Sequence, residues 1–242
     1  SVVGSLLGLL SLGLFSLPVA AQVINVDLGE GGSLSGRIVQ LLVLMTVLAL
    51  APSILVVVTS FTRIVIVLSL LRSAIGVQTA PPNVVLISLA LFLTAFIMAP
   101  TFEKSYNDGI APLIAEKIDD ATAFQRTVAP LHQFMREHVR ESDVQLFMDM
   151  GKVPPVQTAA DIPLKVLIPA FMISEIKRAF EIGFLIFVPF IIIDMAVASI
   201  LMSMGMMMLP PAMLSLPFKL IFFVLVDGWS LLAGALVKSF AT

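Results

Sequence analysis

Between Arg37 and Arg63 the chain carries no charge: Ile38–Ser60 is leucine, valine, isoleucine, alanine and one methionine, broken only by uncharged polar residues and one proline. About 23 residues of helix suffice to cross the hydrocarbon core of a bilayer, so this run commits the chain to a membrane. Pro52 falls inside it and is expected to bend it, in a hairpin-like fashion. The run is not isolated. Hydrophobic residues make up 59% of the chain and charged residues 12%, about half the charged share of a soluble domain. The composition describes a polytopic membrane protein with one modest polar insert. A formal net charge of −2 gives no basic field for nucleic acid. The absence of cysteine excludes disulfides, thiolate zinc sites and thiol chemistry.

Upstream, residues 1–21 form an apolar run ending Leu-Pro-Val-Ala-Ala, which resembles the apolar region and cleavage site of a secretory signal peptide, with a retained first helix as the competing reading. Residues 22–36 are Gly/Ser-rich and are expected to be a flexible lead-in. Residues 37–100 hold the amino-terminal membrane helices: Ile38–Ser60, the apolar stretch Phe61–Leu71 between Arg63 and Arg72, a turn at Gly76–Pro82, and Asn83–Pro100. Arg63 and Arg72 are expected on the cytoplasmic side by the positive-inside rule.

Residues 101–165 are the polar domain, acidic overall. Phe124, Val128, Leu131, Met135 and His138 recur at helical spacing, predicting an amphipathic helix or a pair broken at Pro130. Ser142 with Gln145 resembles a capping box for a second helix bearing Val144, Phe147 and Met148. Residues 166–242 carry the remaining helices: a mixed stretch to Ala179, an apolar segment Ile182–Met204 interrupted by Pro189 and Asp194, and Ala212–Leu236 interrupted by Pro217, Lys219 and Asp227.

Within these apolar segments sit Glu175, Lys177, Arg178, Glu181, Asp194, Lys219 and Asp227. An ionisable group in the bilayer costs at least about 2.5–3.5 kcal/mol and needs a partner or water. Sign alone allows Lys219 to pair with Glu175, Glu181 or Asp194, within the chain or between subunits. A proton relay is the rival role, disfavoured because no chain of acids or intramembrane histidine is present. His132 and His138 lie on different helix faces and lack metal-ligand spacing. No P-loop, nucleophile elbow or His-Glu-x-x-His occurs; the chain does not read as an enzyme, and no cofactor is expected.

Between these helices lies Leu201–Pro211, Leu-Met-Ser-Met-Gly-Met-Met-Met-Leu-Pro-Pro. Gly205 loosens a helix and Pro210-Pro211 cannot continue one, so Met206–Leu209 is expected to be a loop. Non-helical backbone at membrane depth is tolerated when buried in protein or lining water. Methionine is flexible and polarizable, so the loop reads as a deformable apolar constriction in a pore; hydrophobic filler beside a terminated helix is the plainer alternative.

Taken in order, Pro52-Ser-Ile-Leu, Thr59–Arg63, Leu70-Leu-Arg72, Phe134-Met135, Pro169–Glu175, Phe180–Phe184, Pro189–Asp194, Leu201–Pro211, Leu216–Lys219 and Val226–Trp229 are similar to the FliP/SctR family of type III secretion export-gate proteins. The resemblance spans essentially Arg37 to Phe240. It implies an all-α fold of broken helices and helical hairpins with a small helical periplasmic domain. It implies a ring of about five copies joined by FliQ- and FliR-type subunits and approached by FlhB- and FlhA-type proteins. Unfolded flagellar polypeptides would pass along the ring's axis. The setting would be the bacterial inner membrane at the flagellar basal body, with a large periplasm-facing portion and a cleaved signal sequence. Met206, Met207 and Met208, with Met204 just before them, would form a pore gasket; Glu175, Glu181, Asp194, Lys219 and Asp227 would be embedded charges for pairing. A small-solute or ion transporter is the alternative, since broken helices with embedded charges also build such sites.

Overall fold

The computed structural model describes residues 34–241 other than Gln78, Pro155, Gln157 and Met207. The signal-like segment 1–21 lies outside the described residues. Among them every regular element is helical: α1 (Leu34–Val57), α2 (Phe61–Ile75), α3 (Asn83–Ser105), a π turn (Tyr106–Ile110), α4 (Ala111–Ile114), α5 (Asp120–His138), α6 (Glu141–Met150), a short 3-10 turn, α7 (Leu164–Ser203), α8 (Pro211–Leu225) and α9 (Gly228–Lys238). The chain divides into two units, one ending at Leu48 and one covering Ala49–Thr242. The core and the sites below belong to the second.

α2 is the centre of that unit. Ile64, Val67, Leu68, Leu71, Ala74 and Ile75 recur at helical spacing and are all buried, each large side chain contributing about 1.5–3 kcal/mol of apolar burial. They pack on α7 through Leu167, Phe171 and Ala179 and on α3 through Leu86 and Ala90. α5 adds Phe134 and Met135, and the carboxyl end adds Leu232, Leu236 and Phe240. Gly76, at φ 92°, closes α2, and the expected turn delivers the chain to α3.

α3 continues past Pro100 and runs through the π turn into α4, so that Asn83–Ile114 is apolar and long enough to cross a membrane. At the π turn α5 presses so close that a Cβ on Gly109 would lie 2.7 Å from the Thr127 amide nitrogen; only glycine fits there. α5 is capped by Asp119, whose Oδ1 accepts from the Thr122 hydroxyl at 2.6 Å. That bond first, and the Thr122 amide second, hold the carboxyl below its ordinary pKa.

Several local expectations need correction. α1 runs through Pro52 and ends at Val57, so the chain turns at Val58–Ser60 and not at the proline. Of the two readings offered for α5, the single amphipathic helix holds, running through Pro130 with Met135 and His138 buried as expected; the correction is to its phase, since Ala123 and Phe134 are buried and Phe124 faces out. The Ser142–Gln145 capping box does not form: the amino cap of α6 is Arg140, and Gln145 donates to Asp149. α7 is a single helix of 40 residues through Pro169, Pro189 and Asp194. A helical proline forfeits one backbone bond, a cost of about 3 kcal/mol that neighbouring packing offsets. Of the interruptions expected in the last segment, that at Asp227 holds, since α8 and α9 meet there at 63°, whereas the helix runs on through Pro217 and Lys219. At 1.5 Å per residue α7 is about 60 Å long, roughly twice a bilayer core. α7 is the second helix that could span, and the bent pair α8–α9 counts as a third if taken as one crossing.

Candidate functional site

α7 and α8 form a hairpin whose tip is the methionine stretch. α7 ends at Ser203; the Met204, Gly205 and Met206 amides donate back to Ile200, Met202 and Leu201, and Gly205 takes φ 75°. Pro211 then opens α8 where a missing N–H costs nothing. Met204, Met206 and Met208 are exposed, Met208 at 99%, whereas Met207 lies outside the described residues. Apolar thioethers thus project from a loop that forms no regular structure.

The hairpin is tied by charge. Lys219 Nζ on α8 lies 2.6 Å from Asp194 Oδ2 on α7, and Ser215 Oγ donates to Asp194 Oδ1 at 2.5 Å. The ammonium also donates to the Ala74 carbonyl at 3.3 Å, one of the free acceptors at the negative end of the α2 dipole. Of the partners that sign allowed for Lys219, the structure brings up Asp194.

Glu175 is engaged elsewhere, by Arg63. Both are fully buried. Arg63 Nε donates to Oε2 at 2.9 Å and Nη2 donates to Oε1, a bidentate pair. Nη1 donates to the Ser239 carbonyl at 3.1 Å, and Cζ sits 3.7 Å above the Phe240 ring. Arg63 is therefore a core residue joining α2, α7 and the end of α9, and not a surface charge marking the membrane boundary. A signal was present: it adjoins Ile64 and precedes Val67 by four residues on the stripe that becomes buried. Nearby, Ser174 Oγ donates to Asp143 Oδ2 at 2.6 Å and accepts from the Arg140 amide at 3.0 Å, joining α6 to α7; sequence reasoning had assigned these residues no role.

Glu181 and Asp227 are exposed, and among the described residues neither forms an ion pair, nor do Lys177 and Arg178. Asp227 takes φ 50° at the elbow between α8 and α9. His132 Nε2 lies 2.8 Å from the Ile162 carbonyl and His138 Nδ1 2.8 Å from that of Phe134.

Residues 44–236 match the FliP family. The chain belongs to the FliP family. Its relatives include proteins called flagellar biosynthetic protein FliP. That of Caulobacter vibrioides is 62% identical over 222 residues, covering 92% of this chain and 84% of the relative. Those of Bacillus subtilis and Rhizobium meliloti are 55% and 49% identical, over 84% and 91% of this chain and 91% and 90% of the relatives. The FliP family is not a family of enzymes. Its matched span takes in the methionine loop, Arg63, Glu175, Asp194 and Lys219, and stops short of Ser239 and Phe240.

Proposed function

We propose that this FliP-family chain is a core subunit of a flagellar type III protein export gate, and that Met204 and Met206–Met208 form its gasket. The observation that carries the reading is the hairpin tip, where exposed methionines sit on an irregular loop at the end of two apolar helices fixed by Asp194 and Lys219. In a ring of about five copies such loops would converge on the axis. They are apolar enough to exclude ions and soft enough to open around an unfolded flagellar polypeptide. FliQ- and FliR-type subunits would complete the ring, with FlhB- and FlhA-type proteins on the cytoplasmic side. The gate would stand in the bacterial inner membrane at the basal body, with the α5–α6 region toward the periplasm. Embedded charges left unpaired in one copy, Glu181 and Asp227, would meet partners in the assembly.

Deleting Met206–Met208 tests this. Expected is an assembled complex, seen by native mass spectrometry of the protein co-expressed with its FliQ- and FliR-type neighbours, in cells that have become permeable to ions. An assembled deletion complex with unchanged ion permeability would remove the gasket. A chain that stays monomeric and takes up no partner would remove the gate and leave the transporter reading.

A further inference from the structure

The tip of the α7–α8 hairpin concentrates sulfur. Six of the chain's 13 methionines fall between Met202 and Met213, in a chain without cysteine. The backbone gathers them. The Gly205 amide donates to the Met202 carbonyl at 3.1 Å and the Met206 amide to that of Leu201 at 3.0 Å, with Gly205 at φ 75°. This pair of bonds is a Schellman wrap, which turns the chain back over the last turn of α7. The Leu209 amide then donates to the Met206 carbonyl at 3.4 Å, so a second reversal follows within three residues. Met204, Met206 and Met208 alternate along this doubled-back segment, and successive members have Cα atoms at most about 7.6 Å apart. All three side chains are exposed. Methionine has three rotatable bonds, so the three sulfurs can meet at one point without moving α7 or α8.

The surroundings decide which ion such a set of ligands would take. From Met195 to Phe218 the sequence has no acid, base or histidine. Asp194, the last acid before that stretch, is held by Lys219 and Ser215, and Ser203 Oγ donates to the Ile200 carbonyl. The groove beside the loop, between α7 and α8, is walled by Ile200, Leu201, Leu214 and Phe218. Calcium and magnesium therefore find no oxygen ligands, and zinc finds no thiolate or imidazole. A divalent ion on neutral thioethers would also keep both charges against an apolar wall, and the cost of desolvating an ion rises with the square of its charge. A soft monovalent cation meets neither objection, and Cu(I) is the one that thioethers select.

We propose that Met204, Met206 and Met208 form a binding site for a soft monovalent metal ion, Cu(I), one ion to each chain. The three thioethers coordinate the ion, which holds the loop folded onto the end of α7. The site does not rest on the gate reading: it needs a single copy of the chain, and it needs sulfur where a gasket needs only soft apolar bulk.

The test adds Ag(I), a redox-inert stand-in for Cu(I), as its nitrate in chloride-free buffer to the full detergent-solubilised chain, read by native mass spectrometry. Expected is one silver ion per chain, not displaced by zinc ions in excess. Met204→Leu combined with Met206→Leu and Met208→Leu keeps the apolar volume at exposed positions and removes the sulfurs, with an unchanged circular-dichroism melt as the check on folding. That triple variant is expected to bind silver at least about 100-fold more weakly, since even a group that only supports a metal ligand is worth about 10–100-fold. Met150→Leu removes an exposed methionine from α6 and is expected to leave binding unchanged. Competition for Cu(I) against bathocuproine disulfonate under ascorbate should rank the three proteins in the same order. Equal binding by the triple variant, an equal loss from Met150→Leu, or displacement by zinc overturns the proposal. So does fewer than one ion per chain, which would put the ion between copies. Cells carrying the triple variant should stay tight to ions, because leucine keeps the loop apolar; loss of silver binding in tight cells separates this site from the gasket.

Discussion

Arg63 and Glu175 are both closed off from solvent, whereas Lys219 is buried opposite an Asp194 whose side chain keeps 36% of its exposure. Removing one member of a buried pair leaves an uncompensated charge, and the cost depends on whether water reaches the survivor. Glu175→Ala strands the Arg63 guanidinium with only Ser239 and the Phe240 face, and is expected to lower unfolding free energy by about 3–5 kcal/mol. At the second pair the two partners are not equivalent. Asp194→Ala leaves the buried ammonium with the Ala74 carbonyl alone, a loss of about 1–3 kcal/mol. Lys219→Met keeps the apolar stem and frees an aspartate that water can hydrate, so its loss should be smaller. Chemical denaturation in detergent measures all three. Equal losses from Asp194→Ala and Lys219→Met would mean that burial does not set the cost of breaking this pair.

At the scale of elements, α2 and α7 meet where Gly183 faces Leu70, and a Cβ built on Gly183 would lie 3.3 Å from Leu70 Cβ and closer still to its Cδ1. The missing side chain lets the helices approach, as small residues do in membrane helix packing. Gly183→Val is expected to cost about 1–3 kcal/mol from overpacking, and Leu70→Ala in the same chain to recover part of that loss by giving the methyl groups room. A Leu70→Ala change that only adds its own destabilisation would show that the helices do not touch there. Such a contact could not be read from sequence, because a lone glycine in an apolar helix has no unique meaning. The helices themselves were legible as charge-free runs bounded by Arg37, Arg63 and Arg72, and the methionine loop through Gly205 and Pro210-Pro211, which are local signals. Helix breaks were over-read. Pro189 and Pro217 read as interruptions of their apolar segments, yet α7 and α8 continue through them, since a single proline removes one backbone bond and need not end a helix. The partner of Glu175 was hidden for another reason: it lies 112 residues away, and periodicity reports which face is buried, not what meets it.

At the scale of the whole molecule, one guanidinium joins parts of the chain that are remote in sequence. Arg63 reaches Glu175 across 112 residues and Ser239 across 176. The second unit therefore closes only when the end of α9 has folded back over the start of α2. Phe240 completes that closure: its ring stacks on Phe134 at 6.0 Å, lies 5.2 Å from His138 and covers the Arg63 guanidinium. Phe240→Leu keeps most of the apolar volume and removes the aromatic face, with an expected loss of about 1–2 kcal/mol. Arg63→Lys keeps the charge and removes the planar fork that both Glu175 and Phe240 use. If closure runs through that one group, the double variant should depart from the sum of the single losses by at least about 0.5 kcal/mol. Lys219→Met acts at the other end of α2, about 16 Å away along the helix, and should add to Phe240→Leu within about 0.5 kcal/mol. Both cycles are read from chemical denaturation of the parent, the three single variants and the two double variants in one detergent. Additivity at Phe240 and Arg63 would mean that the carboxyl end packs as a cap of its own, and that α2 and α7 hold together without it.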